Sequence, residues 1–161
     1  MKYLIVLAAV LVGSFSANAK DMNHRLGVGP KHAFSITGLP ALAVHYFPNS
    51  EYSFTGALGI NTEQNNSEFG LQGGVRRILF EEKNMNFFIG GALGVISQET
   101  NGTNHSGFEL LAGAGGEFFF QGLENLGFNF EMGIGVASLK KSNRFFTMAR
   151  TPVHAGIIFY F

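Results

Sequence analysis

The sequence contains no cysteine, no tryptophan and only four prolines among its 161 residues. The absence of cysteine excludes disulfide bonds, thiolate metal sites, cysteine nucleophiles and the lipid anchor of bacterial lipoproteins. Charged residues are scarce, at 14% of the chain, and eleven bases are balanced by eleven acids. Without an excess of positive charge, nucleic acid is not an expected partner. The length leaves room for one domain.

Glycine and phenylalanine are abundant instead, with 22 and 18 copies. The glycines follow no triplet repeat and lie in no long Ser/Pro tract, which excludes a collagen-like or linker-like chain. The placement of glycine relative to phenylalanine is therefore the informative feature of the sequence.

The first 19 residues have the features of a cleavable secretory leader. A short apolar run follows Lys2, and the small residues Ala17 and Ala19 occupy the positions that a signal peptidase recognises. The run is far shorter than the roughly 20 residues that a transmembrane helix needs. We therefore expect a signal peptide over residues 1–19, cleavage after Ala19, and a mature domain over residues 20–161.

No comparable apolar run follows, so a membrane-embedded mature chain must cross with strands. Large apolar residues alternate with small or polar ones, most clearly over residues 127–139, where Phe128 and Phe130 flank Asn129. A strand of a soluble sandwich would instead have one bulky and one uniformly polar face. The large face suits lipid and the small face suits a narrow lumen.

The same alternation recurs along the chain and predicts about eight strands. They lie near 24–30 and 41–47, from 52, 68, 87 and 108 onward, over 127–139 and over 150–161. Compact turns at 48–51, 81–86 and 121–126 alternate with polar segments at 31–40, 62–67, 99–106 and 140–147, which we expect to be external loops. The predicted fold is all-β: a closed antiparallel up-and-down transmembrane barrel, closed because lipid cannot satisfy open sheet edges.

The last strand places Ile157, Phe159 and the terminal Phe161 on one face. This spacing resembles the assembly signal of outer-membrane barrels, which implies recognition by the barrel-assembly machinery. The whole mature chain resembles the small eight-stranded barrels of OmpA-type transmembrane domains, OmpX-like proteins and the outer-membrane β-barrel domain family. The resemblance implies a Gram-negative outer-membrane protein in contact with lipid and lipopolysaccharide, and it supplies no catalytic residue and no cofactor.

Charged side chains are predicted to face the lumen. They are Arg76, Glu109, Glu117, Glu131 and Arg150, together with His45 and His154. An unpaired buried ion costs several kcal/mol, so we expect the two arginines to pair with the three glutamates and plug the lumen. The alternative is a gate or narrow pore opened by an exchange of partners. Paired carboxylates acting as acid and base would need a substrate cleft, for which the sequence has no evidence.

Outside the lumen, the basic cluster of Lys140, Lys141 and Arg144 is expected in the last external loop. It is suited to lipopolysaccharide phosphates, although a solvated loop explains it equally well. The histidines do not fall at metal-ligand spacings, so no metal site is expected. We expect a monomer, because a closed barrel has no free edge.

Two alternatives to a structural or surface-interaction role are a lipid A-modifying enzyme and a soluble ligand-binding barrel. His105 and Ser106 invite comparison with lipid A deacylase barrels, but those enzymes place the two residues two apart, whereas adjacent residues point to opposite faces of a strand. A soluble periplasmic barrel that binds an apolar ligand would need the phenylalanine face inside, and this face would overfill a small lumen. The favoured hypothesis is a non-enzymatic membrane barrel.

Overall fold

The computed structural model describes residues 21–140, 142–147 and 153–161. The regular elements in these ranges are nine β-strands. They are β1 (Leu26–His32), β2 (Pro40–Tyr46), β3 (Tyr52–Asn61), β4 (Glu68–Glu82), β5 (Met85–Thr100), β6 (Thr103–Phe119), β7 (Leu126–Leu139), β8 (Ser142–Phe146) and β9 (His154–Tyr160). Within the same ranges, no helix is both long and apolar enough to cross a membrane.

The strands form a closed antiparallel barrel. Each of β1 to β7 pairs with the next, and β9 closes the barrel by pairing with both β7 and β1. Since β8 and β9 both pair with β7, one above the other, they are two parts of the same eighth wall strand. The predicted eight-stranded all-β barrel is confirmed.

The two ends of the barrel differ. The connections after β2, β4 and β6 lie at what we call the terminal end, where Leu26 and Phe161 exchange backbone hydrogen bonds of 3.2 and 2.9 Å. The connections after β1, β3, β5 and β7 lie at the opposite end, which we call the mouth. The compact turns predicted from the sequence all fall at the terminal end.

The outer face is apolar and the inner face is small or polar. In β2, Leu42 and Val44 are exposed, whereas Ala41 and Ala43 are buried on the lumen side. Strands β2 to β9 all contribute large exposed apolar side chains to this outer face. The alternative with the phenylalanine face inside is therefore wrong.

Two predicted external loops are shorter than expected. Thr100 of β5 pairs with Thr103 of β6, so the loop predicted over 99–106 is a turn of two residues. Asn101 and Gly102 both have positive φ, as in the primed turns that suit a hairpin. The loop over 62–67 lies where it was predicted.

The loop predicted over 140–147 is also wrong, because most of it is β8. Leu139 pairs with Ser142 and Gly135 pairs with Phe146, so the chain turns back at once after β7. The pairing resumes at Glu131 and His154. Residues 148–152 lie outside the described residues, so the eighth strand is described in its two paired parts, β8 and β9.

The connection predicted as an external loop over 31–40 turns into the barrel instead. Its residues 33–39, which we call the inner segment, are almost fully buried and fill the lumen at the mouth. Gly38, at φ 71°, donates its N–H to the Phe34 carbonyl over 3.0 Å and closes a tight turn. The segment is buried because Phe34 and Leu39 are apolar and the lumen wall beside them is glycine.

A pair of glycines forms the seat of Phe34. Gly59 of β3 and Gly70 of β4 are direct cross-strand partners. A Cβ atom on Gly70 would lie 2.5 Å from the Phe34 ring, and one on Gly59 would lie 2.7 Å from Leu39. Wall and inner segment thus fit each other closely, and an apolar cluster that includes Ile96 and Leu111 completes this half of the interior.

Candidate functional site in the barrel lumen

Glu131 of β7 is the centre of an ionic group in the lumen. Its Oε2 accepts a hydrogen bond of 2.8 Å from Nη2 of Arg76, and its Oε1 accepts one of 2.8 Å from Nζ of Lys31. Nδ1 of His154 lies 3.8 Å from the same Oε1. The carboxylate thus meets two buried cations, as the burial of charge requires.

Arg76 of β4 connects this group to the terminal half of the lumen. Its Nη1 lies 3.5 Å from Nδ1 of His45, and its guanidinium stacks 4.2 Å above the ring of Phe88. Gly90, the cross-strand partner of Arg76, leaves the space that the arginine stem occupies, since a Cβ there would lie 2.9 Å from Arg76 Cγ. Glycine on the lumen face is therefore what admits the long side chain.

A second group lies closer to the terminal end. The Tyr160 hydroxyl donates to Oε1 of Glu117 over 2.6 Å and lies 3.1 Å from Nδ1 of His45. Gly27 and Gly127 on the flanking strands make room for the tyrosine ring, since a Cβ on either would lie within 3 Å of it. The ring is fully buried inside this end of the barrel.

At the mouth, Glu109 of β6 binds the inner segment. Its Oε2 accepts the backbone N–H of Ser35 over 3.2 Å, and its Oε1 accepts a hydrogen bond of 3.2 Å from Nε2 of Gln72. Gln72 also donates to the Ala33 carbonyl over 2.9 Å. The expected pairing of Glu109 with an arginine is not seen among the described residues, because amide groups take that place. Arg150 lies outside these residues, and its pairing stays a prediction.

Ser35 and His154 connect the Glu109 group at the mouth to the ionic group of Glu131. Its Oγ lies 3.0 Å from Nε2 of His154, whose other ring nitrogen faces Glu131. Serine, histidine and carboxylate occur in this order in serine hydrolases. Here, however, Ser35 belongs to the inner segment and is buried, so a substrate could reach it only by displacing the segment and breaking the contact with His154. The arrangement suits a structural link.

The free space beside these groups is small. A cavity of about 30 Å³ touches Lys31, Gln72, Arg76 and Glu131, which is room for about one water molecule.

The barrel has a counterpart among solved structures. The N-terminal β-barrel domain of Pseudomonas aeruginosa OprF matches with a TM-score of 0.53 and 13% sequence identity, over 85% of this chain and 96% of that domain. The two chains share a fold. No protein-family model and no curated protein sequence matches the chain. The resemblance to OmpA-type barrels thus holds for the fold, whereas membership of that family or of the OmpX-like proteins stays a prediction.

The sequence predicted most of the lumen network but missed Lys31 and Tyr160. Lys31 continues the inward row of Gly27 and Gly29, which the predicted first strand left incomplete because it ended at residue 30. Tyr160 alternates with the outward Phe159 and Phe161, and this alternation alone would have placed it inside.

The other predicted residues that the structure describes lie at the surface. Ile157, Phe159 and Phe161 point outward at the terminal end, where their part in assembly is untested. His105 and Ser106 are neighbours in β6 and so point to opposite faces, which weakens the comparison with deacylases.

Lys141, Ala17 and Ala19 lie outside the described residues. Within the described ranges, no group of three or more His, Asp or Glu side chains could hold a metal ion.

Proposed function

We propose that the protein is an integral outer-membrane barrel of a Gram-negative bacterium, exported by the leader over residues 1–19. The observation that carries the proposal is the outer face, on which Phe54, Phe69 and Phe130 are each at least 40% exposed. Soluble monomers rarely expose apolar patches larger than a few hundred Å². An apolar belt around a polar interior is what a barrel in lipid requires.

The proposed role is structural or surface-interacting, with no catalysis and no open pore. The inner segment and the ionic group of Glu131 both occupy the described part of the lumen, so ion conduction would require both to move. External recognition would fall to the mouth, where lipopolysaccharide and solutes meet the protein. A monomer is proposed because the closed wall leaves no edge for pairing.

Fractionation of expressing cells tests this function. We expect the protein in the outer-membrane fraction, and we expect an unheated sample to migrate differently on a gel from a heated one, because the closed barrel resists detergent. Recovery as a soluble periplasmic protein without a heat-dependent shift would overturn the proposal. A lysate of cells that express no such protein is the control for both bands.

A further inference from the structure

A cavity of about 170 Å³ opens at the mouth of the barrel. It is lined by Ile36, Gln98, Leu139, Lys140, Ser142 and Arg144. The volume exceeds that of several water molecules and so accommodates a small polar group. Its floor is Ile36 of the inner segment, and its wall has two cations and a hydroxyl group.

The register of β8 turns Arg144 toward this cavity. Arg144 pairs with Ala137, which is fully buried on the lumen face, and cross-strand partners point to the same side. Phe145 pairs with Val136 and is 70% exposed on the outer face. The arginine side chain therefore faces the mouth and not the outer face of the barrel. A residue in an exposed loop would have no such fixed direction.

The cations of the cavity have few partners of their own. Arg144 makes no hydrogen bond or ion pair with any residue in the described ranges, and Lys140 Nζ reaches only Thr100 Oγ1, at 3.4 Å. Gln98, which also lines the cavity, donates from Nε2 to Oε1 of Glu68 over 2.7 Å. The Arg144 guanidinium thus has no ion-pair partner among the described residues and is available to an anionic ligand.

We propose that the mouth cavity binds a phosphate group, held by Arg144 and Lys140 with the Ser142 hydroxyl as a further donor. A guanidinium forms two parallel hydrogen bonds to phosphate oxygens, and an ammonium group adds a point charge. The group could be supplied by free phosphate or by a lipid headgroup reaching the mouth. The inference rests on the proposed function only in placing the mouth at the cell exterior.

The test uses the full-length protein refolded in a zwitterionic detergent and titrated with inorganic phosphate by ³¹P NMR at low salt. We expect saturable binding that weakens by about tenfold or more in Arg144→Gln and in Lys140→Gln, since a hydrogen bond to a charged group is worth about 1.5–3 kcal/mol. Arg77→Gln is the control, because Arg77 is an exposed cation near the terminal end. Binding that is absent, unaffected by the mouth variants or equally reduced by Arg77→Gln overturns the site.

A second arm identifies the source of the phosphate. The protein is placed in phosphatidylcholine nanodiscs with or without phosphatidic acid, and phosphate binding is measured again. Competition by phosphatidic acid against phosphate in the parent protein assigns the site to a lipid headgroup, and unchanged phosphate binding assigns it to soluble phosphate. The heat-dependent gel shift is recorded for each variant, so that loss of the site is distinguished from loss of the barrel.

Discussion

At the scale of single residues, Glu131 is the lumen carboxylate that binds two cations. It accepts hydrogen bonds from both Lys31 and Arg76, and its own side chain is 17% exposed. Removing one partner of a buried ion pair leaves the others without compensation, which costs more than the pair itself contributes. The cations near Glu131 are therefore stable in the lumen only while this carboxylate is present.

We predict that Glu131→Gln lowers the free energy of unfolding by about 3 kcal/mol, because Lys31 and Arg76 lose their counter-charge. The measurement is a urea titration of the protein in phospholipid vesicles, with the folded fraction read from unheated gels. Glu81→Gln, on an exposed side chain at the terminal end, is the matched control and should change stability by no more than about 0.5 kcal/mol. Equal effects of the two variants would contradict the assigned ionic group.

The predicted lumen carboxylates Glu109, Glu117 and Glu131 all lie inside the barrel, but the described hydrogen-bond partners of Glu109 are not arginines. Alternation predicts which face of the wall a residue occupies. It does not predict how far along the barrel axis a side chain lies, or which loop residues enter the lumen. The Ser35 N–H that binds Glu109 belongs to the inner segment, and a periodic pattern does not indicate that a loop returns into the barrel.

At the scale of elements, the inner segment departs most from the expected loop. From alternation alone, the glycines at positions 59 and 70 are predicted only to be part of a small lumen face. In the barrel, the two residues form a specific seat for Phe34, which makes the connection between β1 and β2 part of the interior. The loop was mispredicted because its polar and turn-forming residues resemble those of an exposed connection.

We predict that Gly70→Ala destabilises the seated segment by about 1–3 kcal/mol, since the new methyl group overlaps the Phe34 ring. The readout is the rate at which a maleimide labels Ser35→Cys, in a chain that has no other cysteine. Labelling requires the segment to open, so its rate should rise by roughly tenfold for each 1.4 kcal/mol of destabilisation.

The control for this experiment is Gly73→Ala in the same strand. A Cβ atom at Gly73 meets nothing within 4 Å, so its labelling rate should match that of the parent protein. Rapid labelling of Ser35→Cys without any second substitution would mean that the segment is not held in the lumen.

The final strand gives a prediction about assembly. Phe161 is 67% exposed, and its backbone pairs with Leu26 whatever its side chain. We predict that Phe161→Ser lowers the amount of barrel in the outer membrane of cells several-fold, yet leaves the urea midpoint of the refolded protein unchanged. Phe145→Ser, equally exposed but far from the terminus, should not lower the amount. Parallel losses in both variants would point to general destabilisation instead.

At the scale of the whole molecule, the barrel exposes most of the large apolar side chains of its wall on the outside and keeps its ionic groups inside. This arrangement was predictable because successive residues of a strand point to opposite faces of the sheet. The closed wall was predictable because lipid cannot form hydrogen bonds with a free sheet edge. The division of the eighth strand into β8 and β9 was not predictable, because alternation does not report which residues of β7 each part pairs with.

The outer face provides the most direct test of the membrane as solvent. Met132 lies near the middle of β7 and Ile60 near the mouth end of β3, and both point outward. In a bilayer, lysine costs about 2–4 kcal/mol at the midplane and about 0–1 kcal/mol near an interface. We therefore predict that Met132→Lys loses markedly more stability than Ile60→Lys in urea titrations of protein in phospholipid vesicles. If the two substitutions cost the same, the depth dependence that a spanning barrel requires is missing, and the apolar belt must be covered by something other than lipid.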